Sequence, residues 1–104
     1  VGIDIAPAAV PITQLNAAAN GVDVHVSTTP LEDVQGQYDL VLANILAPAL
    51  VALAPHLRRV LAPGGTLVIS GILDGAHDHV LEALAPLQVE RTDTLNGWAA
   101  VTLR

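Results

Sequence analysis

Apolar residues in this chain fall in short runs of two alternating kinds, and the alternation predicts strands and helices in turn. Val1 to Ile5 reads as a first strand. Pro7 stands where a helix can start, and Ala8, Ile12, Leu15 and Ala19 recur at helical spacing, giving one apolar face. Pro11 removes a backbone donor, so a firm helix is expected only from about Pro11 on. Asn20-Gly21 ends it, with the glycine suited to a left-handed terminal position. Val22 to Val26 reads as a second strand. Ser27 to Gln37 is a polar, partly acidic loop holding Pro30, Glu32, Asp33 and Gly36.

The third strand, Tyr38 to Asn44, is the clearest of all. Leu40 to Ala43 is a continuous apolar run, the pattern of a parallel strand buried on both faces. Leu46, Leu50, Leu53, Leu57 and Leu61 then repeat at helical spacing, with Pro55 expected to kink or restart the helix. Arg58 and Arg59 fall in its last turn, where cations favour the helix dipole. Ala62-Pro63-Gly64-Gly65 predicts a tight turn and Thr66 to Ser70 a fourth strand. Asp74 is placed to cap a short helix whose buried side holds Val80, Leu81 and Leu84, and Pro86 stops it. Gln88 to Thr92 and Trp98 to Leu103 form the last two strands. Asn96-Gly97 between them predicts an antiparallel hairpin.

Strand–helix alternation of this kind specifies an α/β fold with a mostly parallel sheet. The expected sheet has about six strands, with Val1–Ile5 and Tyr38–Asn44 near its middle and only the terminal hairpin adding an antiparallel strand.

Composition narrows the class. The chain has 104 residues, of which 52% are hydrophobic, and its mean hydropathy is +0.54. Such a chain can build a core and is not disordered. No run reaches the roughly 18 apolar residues of a membrane helix. Leu46 to Leu57 comes nearest, broken by Pro48, Pro55 and His56. A basic, apolar leader is absent. With no cysteine, disulfides and thiolate metal sites are excluded, which fits a cytoplasmic protein. Net charge is −6, and lysine is missing altogether. That balance disfavours a phosphate backbone and suits a basic partner, although acidity for solubility accounts for it equally well. The chain opens on strand-like residues without an initiator methionine, and it reads as a fragment.

Two residues carry candidate chemistry. Asn44 closes the third strand at the sheet edge where α/β folds bind ligands. Its amide offers two donors and an acceptor. On position alone, capping of the following helix outweighs chemistry for this residue. Asp4 closes the first strand, and an acid at such a strand end can accept hydrogen bonds from ribose hydroxyls. A solvated aspartate in a turn is the alternative. The eight glycines form neither G-x-G-x-x-G nor G-x-x-x-x-G-K-[ST]. His77 and His79 flank Asp78, but residues two apart on a helix diverge, and no tetrahedral ligand set exists. No serine lies in G-x-S-x-G. Trp98 reads as packing, and stacking platforms for nucleic acid are absent.

Taken together, V-G-I-D-I-x-P-x-A-V at the start, N-A-x-x-N-G-V at Asn16 to Val22 and Y-D-L-V-L-A-N-I-L-A at Tyr38 to Ala47 resemble the ribosomal protein L11 methyltransferases. So do L-A-P-G-G-x-L-V-I-S-G-I-L at Leu61 to Leu73 and the tryptophan-bearing last strand. D-x-x-P and P-G-G occur across many class I S-adenosylmethionine-dependent methyltransferases. The pairing of A-N-I-L with S-G-I-L is narrower. The resemblance covers the whole chain and implies a single, partial catalytic domain over residues 1–104. It implies a Rossmann-like sheet lacking the family's first strand and glycine loop, with that strand's place between the first and third strands of this chain. By the same resemblance, Asp4 would bind the ribose of S-adenosyl-L-methionine. Asn44 would line the transfer site and touch cofactor or incoming amine, and the substrate would be amino groups of ribosomal protein L11. No metal, direct nucleic-acid or membrane partner is implied. Two departures stand out: Ala6 replaces a second acid usual in the family, and Ile45-Leu46 replaces the proline pair of the adenine- and glutamine-directed relatives.

Two other readings stay open. One is a non-enzymatic remnant that keeps the fold. The other is a different Rossmann-like nucleotide-binding protein, disfavoured by the missing glycine fingerprint and the terminal hairpin. A G-x-G-x-G segment about 15 to 25 residues before Val1 would mark a full enzyme.

Overall fold

The structure, a computed structural model, describes residues 1–75 and 77–104. It comprises two compact units, Val1–Val34 and Gln35–Arg104.

The first unit is a small βαβ element. Strand β1 (Gly2–Ile3) pairs in parallel with β2 (Val26–Ser27), and helix α1 (Ala9–Ala19) connects them. A single 3-10 turn covers Leu31–Asp33. Both strands are shorter than the runs Val1–Ile5 and Val22–Val26 predict. Pairing is confined to Gly2↔Val26 and Ile3↔Ser27, and apolar residues beyond that ladder have no partner to hold them extended.

Helix α1 starts at Ala9, ahead of Pro11. Pro11 is its third residue, where the backbone N–H would have no intrahelical acceptor, so proline costs nothing there. The end is a Schellman motif: the Val22 N–H donates to the Ala17 carbonyl at 3.0 Å and the Gly21 N–H to that of Ala18 at 3.2 Å. Gly21 takes φ +66°, as its position requires. The expected apolar face is turned outward, with Ile12 58% and Leu15 71% exposed. Ala9, Val10, Thr13 and Ala17 face inward instead. Alanine and branched residues surround this helix on nearly every side, so spacing alone does not select a face.

The second unit is a four-stranded sheet in the order β3-β4-β6-β5, formed by β3 (Tyr38–Asn44), β4 (Leu61–Leu73), β5 (Val89–Leu95) and β6 (Trp98–Leu103). β3 and β4 are parallel, and β6 is antiparallel to both β4 and β5. Only β6 therefore runs against the rest, as the terminal hairpin requires. The expected six-stranded sheet is instead two sheets of two and four strands, and β3 is an edge strand of the larger. Among the described residues nothing pairs with β3 on its other side, and Leu40 and Leu42 are 58% and 72% exposed.

Helices α2 (Ala47–Val60) and α3 (Asp78–Ala83) pack together. α2 also covers β3 and β4. The core of this unit includes Ala43 of β3, Leu50, Ala54, Leu57 and Val60 of α2, Val80 and Leu84 from α3 and its end, Leu61, Leu67, Ile69 and Ile72 of β4, and Ala99, Val101 and Leu103 of β6. Alternation of buried residues along β4 and β6 gives the sheet one dry face. Pro55 does not restart α2, which runs as one helix past it. Its ring lies on the exposed side beside Val51, where water can satisfy the carbonyl left without a donor.

β4 absorbs the predicted turn. Tyr38↔Leu61 is followed by Leu40↔Thr66, so the ladder swells around Ala62–Gly65, with Gly64 at φ +74°, and then resumes. Asp74 does not cap α3. Its N–H donates to the Gly97 carbonyl at 2.9 Å, and His77 precedes the helix. The hairpin turn is Asn96-Gly97 as expected, with φ +52° and +82°, and Leu95 pairs with Trp98 across it.

Candidate functional site

Asp4 immediately follows β1. Its N–H donates to the Ser27 carbonyl at 3.1 Å, and its carboxylate oxygen Oδ1 accepts the Ala6 N–H at 2.9 Å. That local turn fixes the carboxylate at the carboxyl end of the strand. The group is exposed and retains acceptor capacity for other donors.

Asn44 is the last residue of β3, in register with Ser70 of β4. α2 is preceded by Leu46, and no side chain caps it. The capping role that position favours is therefore not what Asn44 performs. The alternation of β3 puts Ala43 in the core and leaves the Asn44 amide exposed at the strand's carboxyl end.

Beside it, β4 bends. Ile69 pairs with Val101 and Ile72 with Ala99, so β4 carries one extra residue in a β-bulge at Ser70-Gly71. Gly71 takes φ +78°, and the Asn44 amide fills the space where a side chain would begin.

An open cleft of about 430 Å³ follows, lined by Leu46–Pro48, Gly71–Leu73, His79 and Trp98. Its walls are largely apolar. Trp98 is 52% exposed and forms one wall, so it is not confined to the packing role that sequence suggests. Among the described residues, His79 is the one titratable group lining the cleft. No group of histidine, aspartate and glutamate able to hold a metal occurs among the described residues.

Asp4 and Asn44 each stand at the carboxyl end of a parallel strand, one in each unit. Sequence reasoning missed the part of Gly71. An isolated glycine within a strand pattern is the available signal, since it marks a bulge or a close approach.

Comparison with known proteins places this arrangement. A ribosomal protein L11 methylase from Lactobacillus delbrueckii superposes with a TM-score of 0.91 at 32% identity, covering 98% of this chain and 55% of that one. An RNA methyltransferase from Salinibacter ruber, solved with S-adenosyl-L-homocysteine, superposes at 0.74 with 23% identity, a likeness of fold. Parallel strands closed by one reversed strand, superposed on these proteins, make this the Rossmann-like α/β fold of the class I methyltransferases.

All of residues 1–104 match the family described as Ribosomal protein L11 methyltransferase (PrmA), and the chain belongs to that family. Relatives of that name include proteins from Brucella suis, 42% identical over 110 residues, and Geobacter metallireducens, 44% identical over 94. These matches take in 97% and 90% of this chain but 39% and 31% of the relatives. The chain thus spans well under half the length of the curated relatives it matches.

Proposed function

We propose that this chain is part of the catalytic domain of an S-adenosyl-L-methionine-dependent protein N-methyltransferase acting on amino groups of ribosomal protein L11. Membership of the L11 methyltransferase family supports the reaction class. The observation that carries the site is the Asn44 amide: exposed at a strand end, not spent on capping, and beside an apolar cleft.

The residues fit the cofactor's chemistry. Asp4 is a carboxylate already held by the Ala6 N–H, and two ribose hydroxyls can donate to the acceptor sites that remain. When bound, S-adenosyl-L-methionine supplies a methyl group on a sulfonium, which needs no acid to leave.

Asn44 is neither an acid nor a base at neutral pH. Its carbonyl oxygen can accept an N–H of an incoming amine and fix the direction of the nitrogen lone pair. The amine must therefore arrive deprotonated, and the contribution of Asn44 is orientation. A lysine-free surface of net charge −6 suits a basic ribosomal protein and repels a phosphate backbone. Residues 1–104 act together as one part of that domain, in a cytoplasmic protein; no described helix is long and apolar enough to cross a membrane.

Asn44→Ala in the intact protein tests this reading. Turnover on L11 should fall by about 10²-fold, the scale of losing one positioned donor or acceptor at a reacting centre. The melting temperature should stay unchanged. Unaltered turnover would overturn the assignment.

A further inference from the structure

Gly71 and Gly75 share a positive φ of +78°, yet their surroundings differ. Nothing lies within 4 Å of a Cβ built on Gly75. A Cβ built on Gly71 would overlap the Asn44 Oδ1, with Asn44 Cγ and the Ile45 carbonyl oxygen each at 3.6 Å. Gly71 also lies in the bulge where β4 departs from regular pairing, one residue past the Ser70 that pairs with Asn44. A bulge at this point swings the β4 backbone relative to the end of β3. The amide occupies the volume that every residue but glycine would take.

We propose that Gly71 is a positioning residue: its missing side chain, set by the bulge, fixes the rotamer in which Asn44 presents its amide beside the cleft. The proposal rests on the reading that Asn44 lines the transfer site. Gly71 itself touches no reactant in this account and acts only through Asn44. A methyl group at position 71 overlaps the Asn44 Oδ1 and turns the amide away, because the amide is the flexible partner, whereas the Ile45 carbonyl at 3.6 Å is an ordinary contact.

Four variants of the intact protein test this: Gly71→Ala, Gly75→Ala, Asn44→Ala and the double variant of positions 44 and 71. Gly75→Ala likewise places an alanine at positive φ, without the collision, and should keep kcat within about twofold. Gly71→Ala should lower kcat by about 10²-fold, the cost of misplacing a reacting group by roughly 1 Å, with KM for S-adenosyl-L-methionine little changed. Because Gly71 acts through Asn44, the double variant should be no slower than Asn44→Ala alone. In protein labelled with ¹⁵N-asparagine, Gly71→Ala should shift the Asn44 side-chain amide resonances and Gly75→Ala should not.

Normal turnover in Gly71→Ala, or losses that multiply in the double variant, would overturn the proposal. Should Gly71→Ala fail to fold, a double variant that folds upholds it, because removing the amide has relieved the collision. A double variant that also fails overturns it, since the bulge alone then demands glycine. If Asn44→Ala keeps full turnover, the functional reading falls, while the resonances still report whether Gly71 holds the amide.

Discussion

The guanidinium of Arg58, in the last turn of α2, donates a hydrogen bond to the carbonyl of Ala83, the last residue of α3. One side chain thereby completes the end of a second helix and ties the two together over a part-buried contact. The carbonyls at a helix end have no intrahelical donors, and a cation there is doubly favourable. Arg58→Ala should destabilise the fold by about 1–3 kcal/mol, the range for hydrogen bonds to charged groups. Urea unfolding followed by circular dichroism measures it, and Arg58→Lys should recover part of the loss.

The hairpin turn makes a second stability prediction. Gly97 sits at φ +82° with open space around it. Replacement by alanine meets no neighbour, so the cost is backbone strain, about 1–2 kcal/mol for an L-residue in the left-handed region. Gly97→Ala should therefore lower stability without changing the pairing of β5 with β6, as chemical-shift analysis of Arg91 to Thr102 would show.

For Asp4 the expected effect is on cofactor affinity. Asp4→Ala removes a carboxylate acceptor at the end of β1, the proposed partner of the ribose, and does not alter Asn44. The KM for S-adenosyl-L-methionine should rise about 10- to 100-fold, the equivalent of one or two charge-assisted hydrogen bonds, with kcat within about threefold. Steady-state kinetics at varied cofactor separates the two constants. A fall in kcat at unchanged KM would remove the ribose role.

By itself, the 104-residue chain should bind S-adenosyl-L-methionine weakly, with Kd above about 1 μM. Its eight glycines supply no glycine-rich loop for the methionine portion of the ligand. Isothermal titration calorimetry decides the matter, and sub-micromolar binding would show that Asp4, Asn44 and their neighbours suffice.

Strong local signals were read correctly from sequence. β3 spans Tyr38–Asn44 as predicted, because an uninterrupted apolar run bounded by polar residues admits few alternatives, but its expected burial on both faces is not met, since Leu40 and Leu42 are exposed on an edge strand. Asn96-Gly97 names its own turn, since only such residues tolerate two successive positive φ angles. What failed depended on partners distant in sequence. The extent of β1 and β2 follows from a two-residue ladder, and the exposed face of α1 from what packs against it. Asp74 looks like a cap, but its backbone is claimed by Gly97, a contact across 23 residues of sequence that local pattern does not show. Of the candidate site, Asp4 and Asn44 are marked by type and place, whereas the close approach of Asn44 to Gly71 arises only when two strands lie side by side.

The order of strands also has a consequence for synthesis. β6 occupies an interior position, between β4 and β5, yet it emerges from the ribosome after both. Until Trp98–Leu103 has been made, β5 has no hydrogen-bonded neighbour in its sheet and β4 keeps one side unpaired. Leu67, Ile69 and Ile72 then lack the apolar wall of Ala99, Val101 and Leu103 that completes their burial. A nascent chain stalled before Trp98 should therefore leave this apolar face of β4 uncovered. Cooperative folding of this half of the molecule must wait for its last strand, whose non-local pairing closes the sheet in one late step.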